Sequence, residues 1–282
     1  MLPFVSTSPP LRFTDHPINQ VGGWYRWSPE FRDSLLKLQD VISLLPPPEL
    51  IHLYEGKRYD QTYTVKTELV DRELHEILFQ SALALREMTP ADEIRLFSGL
   101  IDQDISSETL HFLFSYYQHC LGVISGRHDA ALYAPLGDLS ETGFPFPPHA
   151  DLYLQKSLWV VFDKVPLDES GQTVLISTHD FMRALHRLET MPEDAKVHVT
   201  SLLTQDFDED KFDDFFYFLY AKEAQWTEEL AAVLAARQLM IKFQRGEGFL
   251  LNDRRWLHGR TTTSGAVRED RLHRLTFTTT EV

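Results

Sequence analysis

Short β-forming runs stand on both sides of a helical segment in the second half of this chain. They span residues 158–162, 173–176, 239–243, 248–251 and 271–279. The runs are rich in Val, Ile, Leu, Phe or Thr and are bounded by Gly, Pro or polar residues. The intervening residues 178–237 carry apolar side chains at helical intervals. Strands divided in this way by a helical insertion predict an α+β fold, with a double-stranded β-helix (jelly roll) core flanked by helices.

The first 140 residues carry mainly helical patterns. Ser28 and Pro29 are typical of a helix start, because proline at the first helical position has no amide hydrogen to leave unpaired. A Pro-Pro-Pro run at residues 46–48 ends this pattern. Further helical repeats cover residues 69–88 and 110–123. We expect these three helices to pack against the core.

Two stretches are patterned differently. Residues 54–66 fit either a strand or a loop, whereas residues 126–148 are rich in Gly, Pro, Asp and Ser and predict a long loop. We therefore expect one domain over residues 1–282. It would comprise a mostly helical part over 1–140 and a jelly-roll core over 143–280 that contains the helical insertion.

Composition excludes several classes of partner. A chain of 282 residues with 43% hydrophobic content can bury a large core. Its formal charge of −15 argues against a nucleic-acid groove, which needs clustered Lys and Arg. The one cysteine, Cys120, excludes an intramolecular disulfide and a cysteine-based zinc site. No leader is visible, and no stretch approaches the roughly 20 apolar residues of a spanning helix. We expect a cytoplasmic protein with no membrane partner.

Three residues form a candidate metal site. His149 and Asp151 lie two residues apart in a strand-like run, so their side chains point to the same face. His258 follows the predicted strand at residues 248–251. Two imidazoles and one carboxylate are the ligand set of a non-haem Fe(II) site that keeps three positions open. A His-x-Asp pair is common by chance, so the neighbouring sequence has to support this interpretation.

The neighbouring sequence resembles a known enzyme family. Residues 253–260, with Arg271 thirteen residues after His258, resemble the distal motif of the 2-oxoglutarate-dependent Fe(II) oxygenases. The likeness is to the group of taurine dioxygenase, clavaminate synthase and gamma-butyrobetaine hydroxylase. Residues 170–175 look like that group's Gly-Asp-Thr strand, with Thr173 in the place of the threonine. The resemblance covers residues 143–280 and hardly touches the first 140 residues.

The resemblance implies an enzyme and its cofactors. His149, Asp151 and His258 would bind Fe(II), while 2-oxoglutarate and O2 would serve as cosubstrates. The reaction would hydroxylate an unactivated C–H bond of a small metabolite, amino-acid-like or a natural-product scaffold, with succinate and CO2 as co-products. Halogenating relatives lack the carboxylate that Asp151 supplies, so halogenation is not expected. Desaturation, ring closure and epoxidation stay open.

The far carboxylate of 2-oxoglutarate needs a fixed cation, and arginine offers a planar pair of donors. Arg271 and Arg274 are the candidates, and an offset of three residues puts them on opposite faces of a strand. The spacing from His258 favours Arg271. The run Arg-Leu-Thr that begins at Arg274 instead resembles an Arg-x-Ser pattern of other 2-oxoglutarate enzymes. Thr173 would donate its hydroxyl to the same carboxylate, and Arg260 is the next cation to consider.

Other functions remain compatible with the sequence. The substrate could be held by a protein or a carrier rather than be a free small molecule. A jelly roll with the same ligands could bind metal without turnover, although a mere metal site needs no cosubstrate arginine or threonine. A zinc hydrolase would need a general base beside the metal-bound water, and no motif supplies one.

Overall fold

The computed structural model describes residues 3–9, 21–55, 58–89, 92–101, 104–137, 146–151, 156–165, 169–205, 211–262 and 271–279. The helices are α1 (Pro29–Ile42), α2 (Arg72–Glu87), α3 (Ser107–Ser125), α4 (Thr178–Leu185), α5 (Glu193–Thr204), α6 (Lys211–Leu219) and α7 (Thr227–Ala235). The strands of the first half are β1 (Phe4–Thr7), β2 (Val21–Trp27), β3 (Glu49–Glu55), β4 (Arg58–Thr64), β5 (Ile94–Phe97) and β6 (Ala131–Gly137). The strands of the second half are β7 (Phe146–His149), β8 (Ser157–Lys164), β9 (Thr173–Ser177), β10 (Leu239–Ile241), β11 (Gly248–Asn252), β12 (Trp256–Arg260) and β13 (Arg271–Phe277). The architecture is therefore a mixture of helices and sheets.

The strands form two sheets that face each other, and a separate hairpin of β3 and β4. The large sheet has the order β1-β2-β5-β11-β8-β13-β6, and the small sheet has the order β10-β9-β12-β7. The neighbouring strands in both sheets run antiparallel, except β2 and β5, which run parallel. One apolar cluster joins Val160 and Leu251 of the large sheet to Leu175 and Trp256 of the small sheet. The inner faces of the two sheets thus share a core.

Helices cover the two outer faces. In the first half, α1, α2 and α3 pack with Trp159, Val161 and Leu275 of the large sheet. In the insertion, α4 to α7 pack with Ile176 and Leu257 of the small sheet. Because side chains alternate along a strand, the residues next to these outward ones face the space between the sheets.

Local sequence explains where several helices begin. Ser28 caps α1 by accepting a hydrogen bond from the amide of Phe31, with Pro29 in the first helical position. Ser177 caps α4 in the same way, accepting from the amide of Asp180. Among the described helices, none combines the length and apolar character needed to cross a membrane.

The prediction of a long loop over residues 126–148 is wrong where the strands β6 and β7 form. Both strands contain proline, at Pro135 in β6 and at Pro147 and Pro148 in β7. They are also the last strands of their sheets. Proline lacks an amide donor, so it is tolerated at an edge where one side of the strand has no partner.

Other differences are smaller. The stretch at 54–66 belongs largely to the β3–β4 hairpin, and β1, β2 and β5 extend the large sheet although the sequence patterns did not indicate them. β7 ends at His149, so Asp151 lies just beyond the strand rather than within it. Ala150, between them, packs into the cluster beneath the insertion helices, so the alternation of side chains continues past the strand end.

Candidate metal centre

Three side chains that could ligate a metal converge between the sheets. One ligand atom from each of His149, Asp151 and His258 lies within 4.8 Å of the other two. The Nε2 atoms of His149 and His258 are 3.6 Å and 3.8 Å from Oδ1 of Asp151. His149 and His258 are directly paired residues of β7 and β12. The structure therefore brings together the three ligands predicted from the sequence.

A glycine lets the two strands approach each other. A Cβ atom on Gly259 would lie 2.5 Å from the carbonyl oxygen of Phe146 in β7. The pairing register of β7 and β12 also shifts between His258 and Arg260. The residue after His258 therefore has to be small for β7 to bring His149 beside it.

Hydrogen bonding orients the imidazole of His149. Its Nδ1 lies 2.9 Å from the carbonyl oxygen of Pro147, an acceptor that requires an N–H at Nδ1. The lone pair is then on Nε2, the nitrogen that faces Asp151. Burial lowers the pKa of His149, and the neighbouring His258 lowers it further. This imidazole is therefore held neutral, as a metal ligand has to be.

Aromatic rings of α6 pack against His149. Phe212 and Phe216 meet its ring edge to face at centroid distances of 5.6 Å and 5.8 Å, and Phe146 does so at 4.3 Å. After α6 ends, the hydroxyl of Tyr220 donates to the carbonyl oxygen of Pro148. The insertion thus holds the strand that carries the first ligand.

A carboxylate lies behind the other imidazole. Oδ1 of Asp253 is 3.4 Å from Nδ1 of His258, and the Asp253 residue is 3% exposed. Burial raises the pKa of Asp253 above its usual range. Burial by itself would lower the pKa of His258, but the carboxylates of Asp253 and Asp151 together raise it.

An arginine holds the remaining oxygen of Asp151. Nη1 of Arg274 donates to Oδ2 of Asp151 over 3.0 Å. Burial alone would raise the pKa of Asp151, but the charge of Arg274 holds it well below the usual range. Asp151 is therefore ionised at neutral pH, with Oδ1 directed to the imidazoles.

Of the other predicted cosubstrate residues, Thr173 lies on the same sheet as His258, and Arg271 is described only in its backbone. Thr173 is buried and pairs directly with Arg260 of β12, so both lie on the face of the small sheet that carries His258. Arg271 begins β13, but its side chain lies outside the described part of the chain. The preference for Arg271 therefore rests on the motif spacing alone.

The donor set fits divalent iron. The site offers two imidazole nitrogens and one ionised carboxylate oxygen. Three donors leave an octahedral ion three open positions. Asp253, Phe212 and Phe216 were not assigned a role from the sequence. Asp253 lies inside the distal motif, five residues before His258, but nothing in that spacing shows that a turn folds it back.

The sequence matches no protein-family model and no curated protein. Solved structures resemble the fold. An asparagine oxygenase (AsnO) aligns with 90% of this chain and 91% of its own, at 11% identity and a TM-score of 0.44. The non-haem iron oxygenase OrfP, in complex with Fe and alpha-ketoglutaric acid, aligns with 91% of this chain and 94% of its own, at 12% identity and a TM-score of 0.46. OrfP with Fe, succinate and (3R,4R)-dihydroxy-L-Arg gives 13% identity and the same TM-score and coverage.

OrfP is a non-haem iron oxygenase, and AsnO is an asparagine oxygenase. Their TM-scores lie below 0.5, so the function of this chain has to be argued from its own residues.

Proposed function

We propose that this chain is an Fe(II)- and 2-oxoglutarate-dependent oxygenase that hydroxylates a C–H bond of a small, amino-acid-like or natural-product substrate. The observation that carries the proposal is the convergence of His149, Asp151 and His258, with Arg274 bound to Oδ2 of Asp151. A site that only stored a metal would not need a cation beside its single carboxylate ligand. A site that must also accept a dianion does.

We further propose that the core is a double-stranded β-helix. From β6 to β9 the chain alternates between the large and the small sheet, and from β10 to β13 it alternates again. The order β6-β13-β8-β11 in one sheet and β7-β12-β9-β10 in the other is what two interleaved β-ribbons produce when they coil together. β1, β2 and β5 extend the large sheet beyond this core, which supports one domain for the whole chain.

His149, Asp151 and His258 would hold the iron. Bound iron would activate O2 for oxidation of the C–H bond, with 2-oxoglutarate oxidised to succinate and CO2 as the source of the other two electrons. The protein supplies two imidazoles, of which that of His149 is held neutral, and an ionised carboxylate, all between two packed sheets. Its contribution to rate is orientation, because the substrate carbon has to be held next to the metal while solvent is kept out.

The cosubstrate would be held by Thr173 and an arginine of β13. Arg274 lies on the inner face, because its directly paired neighbour Val160 belongs to the core between the sheets. Its neighbour His273 pairs with Val161, which packs beneath the helices on the other side. We therefore favour Arg274 for the far carboxylate, with Arg271 as the alternative from the motif spacing. Thr173 would add its hydroxyl.

Conversion of 2-oxoglutarate to succinate tests the proposal. The purified protein, supplied anaerobically with Fe(II) and 2-oxoglutarate and then with O2, should release succinate, slowly without substrate and faster when a true substrate is present. A panel of free amino acids, amines and natural-product scaffolds would then identify the substrate by mass gain of one oxygen. Carrier-bound versions of the same compounds would test the alternative substrate form.

Matched variants make the result specific. His149→Ala and His258→Ala should abolish both Fe(II) binding and succinate release, because two remaining ligands hold ferrous iron poorly. His179→Ala is the control, since this histidine also neighbours an aspartate but its side chain is 75% exposed. Full activity of either ligand variant at limiting Fe(II) would contradict the proposed metal site. Hydrolytic activity with Zn(II) and no succinate release would replace the oxygenase with a metallohydrolase.

A further inference from the structure

The carboxylate of Asp253 is placed at the back of a proposed metal ligand. Its Oδ1 lies 3.4 Å from Nδ1 of His258, and the Nε2 on the opposite side of that ring faces Oδ1 of Asp151. The side chain of Asp253 is 4% exposed and that of His258 is 14% exposed. The ring of His258 therefore lies between two buried carboxylates, of which Asp151 belongs to the proposed ligand set and Asp253 does not.

The turn between β11 and β12 fixes this position. The amide of Asp253 donates to the carbonyl oxygen of Lys156, which immediately precedes β8, over 2.6 Å. The side chain of Asn252 accepts from the amide of Arg254 over 2.9 Å and stabilises the turn. A residue anchored on two strands cannot easily move its carboxylate away from the imidazole.

The two imidazoles are supported differently. Nδ1 of His149 faces a neutral backbone carbonyl, that of Pro147, whereas Nδ1 of His258 faces a carboxylate. Metal-bound histidines generally donate the N–H of their other ring nitrogen to an acceptor of this kind, which fixes the tautomer and raises the basicity of the ligating nitrogen. A charged acceptor does this more strongly than a neutral one.

We propose that Asp253 is a positioning residue for the metal centre: it binds the Nδ1–H of His258, so that Nε2 stays unprotonated and aimed at the metal. This inference rests on the proposed function, because it assigns Asp253 a role toward the metal that His258 would bind. Asp253 itself does not touch the metal or the substrate. Its negative charge also offsets part of the positive charge that the metal and Arg274 bring to the site.

The test compares Asp253→Ala, which removes both acceptor and charge, with Asp253→Asn, which keeps a similar shape and a neutral acceptor. The probe is Co(II), titrated anaerobically into metal-free protein, so the measurement does not depend on turnover. Asp253→Ala should bind Co(II) roughly ten- to a hundredfold more weakly than wild type. Asp253→Asn should lie between the two. Asp163→Asn is the matched control, since Asp163 is also buried beside a histidine, His273, that is not a proposed ligand.

A spectroscopic readout separates positioning from general stability. In the Zn(II)-loaded protein with 15N-labelled histidine, the Nδ1–H signal of His258 should lie far downfield and should move upfield in Asp253→Ala. Its assignment comes from its loss in His258→Gln. The signals of the other histidines and the melting temperature of Asp253→Asn should stay near those of wild type.

Three outcomes would overturn the inference. The first is Co(II) affinity within twofold of wild type for Asp253→Ala, together with an unmoved His258 signal. The second is an equal loss of affinity in Asp163→Asn, which would show general destabilisation. The third is wild-type protein that binds neither Co(II) nor Fe(II), which would remove the proposed function itself. If Asp253→Ala does not fold, Asp253→Asn decides, because an unchanged affinity and an unchanged ring signal there contradict the proposed role of the charge.

Discussion

Arg274 donates to Oδ2 of Asp151 over 3.0 Å, while Oδ1 of the same carboxylate faces the two imidazoles. The two oxygens of Asp151 are thereby divided between an arginine and the proposed metal. This division keeps the carboxylate ionised and directs a single oxygen to the metal. Arg274 itself lies on the inner face of the large sheet, where we propose that a dianionic cosubstrate binds.

The first prediction separates the two arginines of β13. Arg274→Ala should weaken 2-oxoglutarate binding by about thirtyfold to a thousandfold, because a charge-assisted pair in a desolvated site is worth roughly 2–4 kcal/mol. Arg271→Ala should change it little. The measurement is an anaerobic titration of 2-oxoglutarate into the Fe(II) protein, followed by its absorption band.

The reverse result would assign the clamp to Arg271 and leave Arg274 as a support for Asp151 alone. Equal small shifts in both variants would point to Arg260, which pairs directly with Thr173. A direct Fe(II) titration of Arg274→Ala is the necessary companion, since loss of its contact with Asp151 can weaken the metal as well.

The second prediction concerns the aromatic support from α6. Phe216 meets His149 edge to face and stacks on Phe146 and Phe212 at 5.1 Å and 5.6 Å. Because Phe216 is only partly buried, Phe216→Ala should cost about 1–3 kcal/mol of stability, at or below the low end for a core aromatic. It should also weaken Fe(II) binding by loosening His149.

Tyr217→Ala is the control, because Tyr217 follows Phe216 on the same helix and is 69% exposed. Chemical denaturation and Fe(II) titration of both variants give the two readouts. Equal effects in the two variants would show that α6 contributes through its helical integrity and not through the ring of Phe216.

The three proposed metal ligands could be predicted from the sequence because their evidence is local. His149 and Asp151 are two residues apart, and His258 follows a strand in a motif of fixed spacing. The contact between Arg274 and Asp151 joins residues 123 positions apart, so it depends on which face of β13 turns inward. Asp253 could be seen in the motif, but its role depends on a turn and on a bond to Lys156 that no periodicity encodes.

The missed strands have a similar explanation. β6 and β7 contain prolines, which in a sequence indicate loops, and only their place at sheet edges makes them strands. β5 is four residues long, too short for a clear alternation, and is stabilised by β2 and β11 on its two sides. In both cases the tertiary neighbours decide the structure, and they are distant in the chain.

The third prediction concerns Gly259. An alanine there would place its Cβ 2.5 Å from the carbonyl oxygen of Phe146, so β7 would have to move away from β12. Gly259→Ala should therefore lower Fe(II) affinity by about tenfold or more, as expected when metal ligands lose their mutual positions. Gly122→Ala is a milder control, because the nearest atom to its Cβ would be 3.3 Å away. Wild-type affinity in Gly259→Ala would mean that β7 can shift without displacing His149.

The last prediction concerns a row of polar side chains on the outer face of the large sheet, away from the proposed metal site. The row consists of His111, Tyr133, His273 and Asp163. The hydroxyl of Tyr133 lies 2.9 Å from Nδ1 of His111 and 2.8 Å from Nδ1 of His273. Nε2 of His273 in turn lies 3.7 Å from Oδ2 of Asp163. In this arrangement the hydroxyl of Tyr133 donates to Nδ1 of His273. The N–H of His273 is then at Nε2 and faces the carboxylate of Asp163.

This row of polar side chains makes the free energy of unfolding depend on pH through Asp163. Burial raises its pKa, but the neighbouring side chains of His273, Ser107 and Arg245 outweigh burial and hold the pKa at about 2. Since the ordinary value is 3.8, the folded state favours the ionised form, and this stabilisation is complete above about pH 4 and is lost as the pH falls toward 2. Asp163→Asn should thus lower the free energy of unfolding by about 1–3 kcal/mol at neutral pH. The difference from wild type should shrink between pH 4 and pH 2, as measured by urea denaturation across that range. A difference that stays constant with pH would show that the cost comes from packing and not from the charge of Asp163.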